Sequence, residues 1–366
     1  LANKETLKID ILIVGGGIIG LWSAYKILKK FPDRIVAVFE AESYLGEHTT
    51  GRNSEVLHSG LYYPTNSLKH RHCLKGNQMW RQYIAEKNMP FLDCGKVIVA
   101  TGEQGANLQS LYERSLENEV SGVRTLARTE IETLKQVLHM EDGFFIRSSG
   151  VLNASEALRM LKQDIEDMGG MILKNSRVQL LESANEHFLF DVNGDQLESQ
   201  ILVNAAGLLA VALRAHLNLF DFSNFYVKGS YLKLKKKIDI DKLVYPIPPA
   251  DGLGLGVHLT LDTAGDQKFG PNTEIIAEVE YSVSDSLIYK MSPSIHKIFK
   301  NIKESDLLLG YAGVRPKIKR DGELITDFVF NTSAQHGIKG YFEFLGIDSP
   351  GLTAAPSLAE MLSCAL

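Results

Sequence analysis

The chain has 366 residues, 45% of them hydrophobic and 23% charged, with a formal net charge of −5. That length is too great for one compact core, so two domains are expected. The mild acidity argues against nucleic acid or an anionic membrane face as a partner.

Residues 9–14 form a short apolar run that ends in Gly15-Gly16-Gly17. From Ile18 to Phe31 the apolar positions Ile18, Leu21, Ala24, Ile27 and Leu28 fall at helical spacing. Pro32-Asp33 breaks that helix, and 35–39 resumes a buried strand ending at Glu40. A strand–helix–strand unit of about 30 residues has the shape of a parallel crossover. A polar loop, 46–64, precedes an amphipathic helix over 67–87, a strand at 97–100 and a helix at 104–118. Asn153-Ala154-Ser155 matches a glycosylation sequon, but its reading here is the start of a helix over 154–168, ended by Gly169-Gly170. Strands follow at 172–173, 177–182, 188–192 and 201–204, and a tight Ala205-Ala206-Gly207 turn feeds a short helix at 208–217.

From about 220 to 309 the pattern changes to strand-like stretches at 231–234, 254–261 and 275–279, separated by Pro, Gly and Asp, as in an antiparallel sheet. Lys235, Lys236 and Lys237 have no aromatics between them and read as a solvated hairpin tip. A last strand at 340–345 runs into Gly346-Ile347-Asp348-Ser349-Pro350-Gly351 and a closing helix. No repeat or low-complexity linker appears, so the domains are expected to interleave. The fold class is α/β: a Rossmann-like domain over 1–90, 145–218 and 310–366, interleaved with an α+β domain over 91–144 and 219–309 built on an antiparallel sheet.

Cys73, Cys94 and Cys364 share no metal-ligand or redox spacing and read as reduced thiols, and no metal site is expected. The first eight residues carry no apolar signal core, and no apolar run approaches the about 18 residues that span a bilayer. The expected location is cytoplasmic or peripheral to a membrane, with no transmembrane segment.

Gly15, Gly17 and Gly20 form G-x-G-x-x-G directly after a strand and at the opening of a helix. Gly15 permits the tight turn, Gly17 lets backbone approach a pyrophosphate, and Gly20 lets the helix pack close to the sheet. The phosphates then meet a helix N-terminus, where amide groups and the dipole favour anions. Glu40 ends the second strand, where a carboxylate can accept both ribose hydroxyls, which favours FAD or NAD over NADP. The motif by itself leaves FAD and NAD open.

Beyond Glu40, the blocks Glu47-His48-Thr49-Thr50-Gly51-Arg52-Asn53-Ser54 and Leu57-His58-Ser59-Gly60-Leu61-Tyr62-Tyr63 resemble the L-2-hydroxyglutarate dehydrogenases and oxidases. These belong to the D-amino-acid-oxidase-like (glycine oxidase, DAO) superfamily of flavoproteins. The resemblance continues in 94–100, 203–207, 245–248, 256–260, 270–272, Ala312-Gly313-Val314-Arg315-Pro316 and 327–330. Two blocks depart from it. Lys228-Gly229-Ser230-Tyr231 stands where an arginine-led block is expected, and 346–353 is closer to the flavin-binding end of the broader superfamily.

The resemblance implies FAD as cofactor and transfer of a hydride from the substrate α-carbon to flavin N5, with loss of a hydroxyl or amine proton. It implies Arg315 as the carboxylate anchor, since a planar guanidinium matches a carboxylate bidentately, His258 as the proton acceptor, and Tyr245 as a further catalytic group. His58, Tyr62, Tyr63 and Lys228 become candidate substrate contacts; in a strand-like Tyr62-Tyr63 pair only one ring can point inward. Flavin contacts are expected from Ile18 and the glycine loop, from Arg52, Asn53 and Ser54, from backbone at Val178, and from Ala206 and Gly207. Gly346, Asp348, Gly351, Leu352 and Thr353 are expected to bring backbone amides to the flavin at the last helix's N-terminus.

The implied reaction is FAD-dependent oxidation of a small 2-hydroxy acid, L-2-hydroxyglutarate first. One alternative keeps the flavin and changes the substrate to a small amino acid or secondary amine. A flavin- or NAD-binding protein with a regulatory or tRNA-modifying role, or an NAD-linked dehydrogenase, completes the alternatives. The sequence leaves the electron acceptor open among oxygen, a quinone and another protein.

Overall fold

In the computed structural model, residues 6–102, 104–184, 187–248 and 254–366 are described, and the first five residues of the polar N-terminal stretch lie outside them. The chain divides into two compact units, Leu1–Gly51, Ala154–Phe225 and Arg315–Leu366 in the first, Arg52–Asn153 and Tyr226–Val314 in the second. Relative to the sequence-based boundaries, 52–90, 145–153 and 310–314 group with the second unit, and 219–225 with the first. The reason is local: Val56-Leu57 pairs with Gly150–Leu152 in a small antiparallel sheet, and Asn118 holds the following loop.

In the first unit the strand Leu7–Val14 runs parallel between Val36–Phe39 and Asp195–Asn204, with Leu12 opposite Ala37 on one side and Leu202 on the other. Ile11, Leu12 and Ile13 are buried, which is why this strand reads as a continuous apolar run rather than an alternation. Met171–Leu173 extends the parallel set beyond Val36–Phe39. Asp195–Asn204 changes neighbour along one edge: its first half pairs antiparallel with His187–Val192, its end pairs parallel with Tyr341–Leu345. The helix Ile18–Lys30 buries Ile18, Leu21, Trp22, Ala24, Ile27 and Leu28. It packs on Ala154–Asp167 and on the closing helix Gly351–Ala365, to which Lys30 Nζ donates at the Ser363 carbonyl, 2.8 Å away.

One sheet, whose strands lie in the second unit except for the ends 222–225 and 315–320, runs in the order Leu307–Arg320, Phe222–Leu234, Gln267–Gly270, His258–Leu261, Leu243–Pro246, Lys96–Ala100, Asp142–Ile146 and Val123–Thr125. Within it Leu243–Pro246 lies parallel to Lys96–Ala100, with Tyr245 opposite Ile98, and antiparallel to His258–Leu261 on its other side. Alternation then buries both faces: Val97, Val99, Val244, Leu259 and Phe269 line one core, and Ile98, Ala100, Leu243, Tyr245 and Leu261 the other. Burying a side chain of this size completely contributes roughly 1.5–3 kcal/mol.

Several elements differ from the sequence reading. The stretch 254–261 is strand only over His258–Leu261, because Gly256 turns the backbone through φ 79°. The strand at 275–279 shortens to Glu274–Ile276, and the helix at 208–217 is a 3-10 turn at Gly207–Leu209 followed by Ala210–Ala215. Ser286–His296 is a helix inside the region read as all strand. Lys235, Lys236 and Lys237 are exposed, but they follow a strand that pairs with Gln267–Gly270 rather than forming a hairpin. Among the described residues no helix is long and apolar enough to cross a membrane, and no cluster of potential metal ligands occurs.

Candidate functional site

The glycine loop of the first unit is built so that side chains cannot enter it. Gly15 has φ 113°, and a Cβ there would lie 2.3 Å from the Ala205 carbonyl oxygen. A Cβ on Gly20 would lie 1.9 Å from the Gly15 carbonyl oxygen, so only glycine lets the helix close onto the loop. Gly17 is the N-cap of Ile18–Lys30 and supplies no side-chain cap, and the Ile18 amide is met by Thr50 Oγ1 at 3.1 Å. Glu40 is aimed by two backbone donors, Gly16 N to Oε2 at 2.8 Å and Glu42 N to Oε1 at 2.9 Å. A closed glycine turn, a helix N-terminus with no side chain at its N-cap and an oriented carboxylate at the neighbouring strand end fit the pyrophosphate and ribose of a dinucleotide. Gly16 and Thr50 were not singled out by sequence, although both lie in blocks it flagged.

The remaining cofactor candidates of this unit surround that loop in sequence and in hydrogen bonding. Val178 opens the strand Val178–Ala184, and Ser176 just before it donates its amide to the Glu40 carbonyl at 2.8 Å. Ala206 donates its amide to Asn204 Oδ1, and Asn204 Nδ2 reaches Ala210 O at 2.8 Å and Tyr341 Oη at 2.9 Å. Gly207 has φ 56° with open space where a Cβ would be. The Asn204 bond leads into a buried polar network. Tyr341 donates to Glu343 at 2.7 Å, and Glu343 is met by Arg214 Nε at 3.0 Å and Asn331 Nδ2 at 2.8 Å. Burial opposes the Arg214 charge, but Glu343 and Asp221 outweigh it and raise its pKa.

Gly346 adopts φ 66°, Asp348 N bonds the Gly346 carbonyl at 2.8 Å, and Gly351 starts the closing helix without a side-chain cap. The Asp348 carboxylate pairs with Lys317 Nζ at 2.9 Å, both side chains 7% exposed, so its charge is used to hold the loop. Leu352 is half-buried and Thr353 fully buried in the first turn of that helix. Arg315 is half-buried and lies within the strand Leu307–Arg320.

In the second unit the rings gather around Tyr245. Tyr245 is fully buried on its strand, and His258 stacks on it with ring centroids 3.7 Å apart and 20° between planes. His258 Nδ1 lies 2.7 Å from the Gly256 carbonyl oxygen. A carbonyl only accepts, so Nδ1 carries the proton and Nε2 is the basic nitrogen of the neutral ring. His58 is buried, and its backbone carbonyl accepts from Asn77 Nδ2 at 2.8 Å. Burial first, then the charges of Lys96 and His258, hold the His58 pKa well below the ordinary histidine range.

Tyr62 and Tyr63 lie in a turn rather than a strand, so the one-in, one-out rule does not apply, and both hydroxyls are buried. The turn is fastened by Asn118, whose Nδ2 donates to the carbonyls of Gly60 at 3.1 Å and Tyr63 at 2.9 Å. By sequence Asn118 reads only as a helix end. Burial raises the Tyr62 phenol pKa, and that of Tyr245 is raised by burial and then by Tyr62, Tyr231 and Tyr63.

The remaining candidates engage partners inside the second unit. Lys228 is buried, with its ammonium paired to Glu280, so its charge is answered within the protein. The Arg52 guanidinium lies over the Tyr281 ring at 4.2 Å, and the Asn53 carbonyl accepts from Tyr311 Oη at 2.5 Å, with half-buried Ser54 next in the chain.

The chain is similar to known proteins along nearly its whole length. The sequence matches the DAO family profile, described as FAD dependent oxidoreductase, over residues 10–365. It is 32% identical to the mitochondrial L-2-hydroxyglutarate dehydrogenase of Arabidopsis thaliana, covering 97% of this chain and 83% of that protein. The L-2-hydroxyglutarate dehydrogenase of Indibacter alkaliphilus is 28% identical, covering 96% and 97%. Among solved structures, dithionite-reduced L-alpha-glycerophosphate oxidase from Mycoplasma pneumoniae with FAD bound shares the fold at TM-score 0.87 and 22% identity, covering 98% and 95% of the two chains. Glycine oxidase from Geobacillus kaustophilus does so at TM-score 0.79 and 18% identity, covering 99% and 95%.

Proposed function

We propose that this chain, which belongs to the DAO family of FAD-dependent oxidoreductases, oxidises L-2-hydroxyglutarate to 2-oxoglutarate. The substrate assignment is supported by the L-2-hydroxyglutarate dehydrogenases of plant and bacterial origin that resemble the chain along nearly its whole length. Bound FAD supplies the two-electron acceptor. In this reading Gly15, Gly17, Ile18, Gly20 and Glu40 hold its ADP half, and the backbone at Val178 meets the adenine. Arg52 to Ser54, Ala206, Gly207 and the 346–353 loop approach the pyrophosphate or flavin. In this reading the first unit supplies most of the cofactor contacts and Arg315, and the second supplies Arg52 to Ser54 and the other substrate contacts.

One observation carries the proton chemistry: the Gly256 carbonyl fixes the His258 tautomer and leaves Nε2 as the acceptor. Oxidation of a secondary alcohol removes the C2 hydroxyl proton and two electrons with the C2 hydrogen. His258 Nε2 takes the proton, and Tyr245 keeps the imidazole plane fixed for that transfer. Arg315 is assigned to a substrate carboxylate, with His58, Tyr62 and Tyr63 as further polar contacts. Lys228, already paired, is assigned a share in substrate binding only through displacement of Glu280. A reducing, cytoplasmic setting belongs to the same proposal and is supported by three free cysteines.

Steady-state assays with an artificial electron acceptor test the assignment against L-2-hydroxyglutarate, its D enantiomer, glycine and a secondary amine. Turnover confined to the L-hydroxy acid is expected. Turnover of glycine or the amine in its place would contradict the substrate class.

A further inference from the structure

We infer that Lys96 is a positioning residue for this oxidation: its side chain clamps the Tyr245 ring against His258 and sets the electrostatic field that the two histidines share. Lys96 opens the strand Lys96–Ala100 and is completely buried, and its Nζ has no hydrogen-bond partner among the described residues. Leaving an ammonium in that condition is costly, so such a group is rare without a task. The parallel register gives the placement. Lys96 and Ile98 share one face of their strand, Ile98 lies opposite Tyr245, and Val244 opposite Leu259 puts His258 on the Tyr245 face.

The ammonium sits over the Tyr245 ring at 4.0 Å and within 5.4 Å of the Tyr62 ring. Cation–π attraction of this kind strengthens on desolvation, to about 2 kcal/mol or more. Tyr245 is thereby gripped through its ring, with His258 stacked on it. The charge of Lys96 also acts on His58.

Burial lowers Lys96 itself to about 7. The nearby Cys73 and Cys94 thiols are raised by burial to about 12 and about 11, so they stay protonated near neutrality and offer no counter-charge. The other titratable groups facing this column are the phenols of Tyr62, Tyr63 and Tyr231, which act on Tyr245. A cation among neutral groups disfavours a second proton on either imidazole, which is what a proton acceptor requires.

The inference rests on His258 as the proton acceptor, and two measurements keep it separable from the substrate assignment. The first compares the pH dependence of kcat/KM for wild type, Lys96→Met and Lys96→Arg. Removing the cation should move the acid limb of the Met variant upward by about one unit, and the permanent charge of arginine should hold the limb low. A purely structural role would lower activity evenly and leave all three limbs at one pH, which would overturn the inference. The second needs neither variant nor substrate. In wild-type protein labelled at histidine and lysine, the NMR resonance of His58 should shift as Lys96 titrates. A His58 signal that stays flat through that titration would overturn the inference even if both variants failed to fold.

Discussion

The His258 imidazole lies flat on the Tyr245 phenol ring, 3.7 Å between centroids, while its Nδ1 donates to the Gly256 carbonyl 2.7 Å away. Stacking fixes the plane and the hydrogen bond fixes the tautomer, so the Nε2 lone pair has one direction. His258→Asn should therefore lower kcat by about 100- to 10,000-fold with FAD still bound. Tyr245→Phe keeps the stack and should cost far less than Tyr245→Leu. Rapid-mixing measurement of the reductive step distinguishes them, and equal losses in the two Tyr245 variants would refute the role of the ring.

Gly20 and Gly207 make a contrasting pair. A methyl at Gly20 would meet the Gly15 carbonyl oxygen at 1.9 Å, whereas at Gly207 it would enter open space from a φ of 56°. Gly20→Ala should yield protein that purifies without flavin. Gly207→Ala should keep the flavin and lose only about 1–2 kcal/mol of stability from the left-handed backbone. Absorbance of the purified variants and their denaturant melts check both.

Glu343 is fully buried and answers the charge of Arg214, itself 1% exposed. Breaking one side of such a pair costs about 3–5 kcal/mol, because the other charge stays buried. Glu343→Gln should fall in that range in urea unfolding. Glu166→Gln, which removes a half-exposed partner of Lys162, should change stability by less than about 1 kcal/mol.

His58 gives a pH dependence with a definite sign. Its pKa in the folded protein is held well below the ordinary range by burial, then by Lys96 and His258, and in the unfolded chain it titrates near about 6.5. Above that pH both states keep it neutral and it contributes nothing to the pH dependence. As pH falls below it, the unfolded state binds a proton that the folded state refuses, so stability declines. The melting temperature of wild type should drop more steeply than that of His58→Gln between about pH 7 and about pH 5. Parallel slopes would rule this out.

The first unit was legible where its signals are local. Gly15, Gly20 and Glu40 report their roles through spacing because one short crossover carries the loop, the helix and the acid. What escaped notice depends on partners distant in the chain. Arg214 and Glu343 meet across 129 residues, and nothing around either residue announces the other. Gly313 lies inside the strand Leu307–Arg320, and the reason it must be glycine, an Arg52 carbonyl oxygen 1.9 Å from where a Cβ would be, is equally far away in the chain. Lys96 had a signal, a lone lysine opening the apolar run Val97-Ile98-Val99-Ala100. Its meaning emerges only once that strand pairs with the one carrying Tyr245. Tyr62 and Tyr63 were judged by strand alternation, which a turn does not obey.

The most direct test of the account is an anaerobic titration of the purified yellow protein with L-2-hydroxyglutarate, following the visible flavin band. The account predicts stoichiometric bleaching with 2-oxoglutarate as product, and no bleaching by the D enantiomer. A flavin band that stays unchanged at saturating L-2-hydroxyglutarate, but bleaches with glycine or a secondary amine, would contradict it.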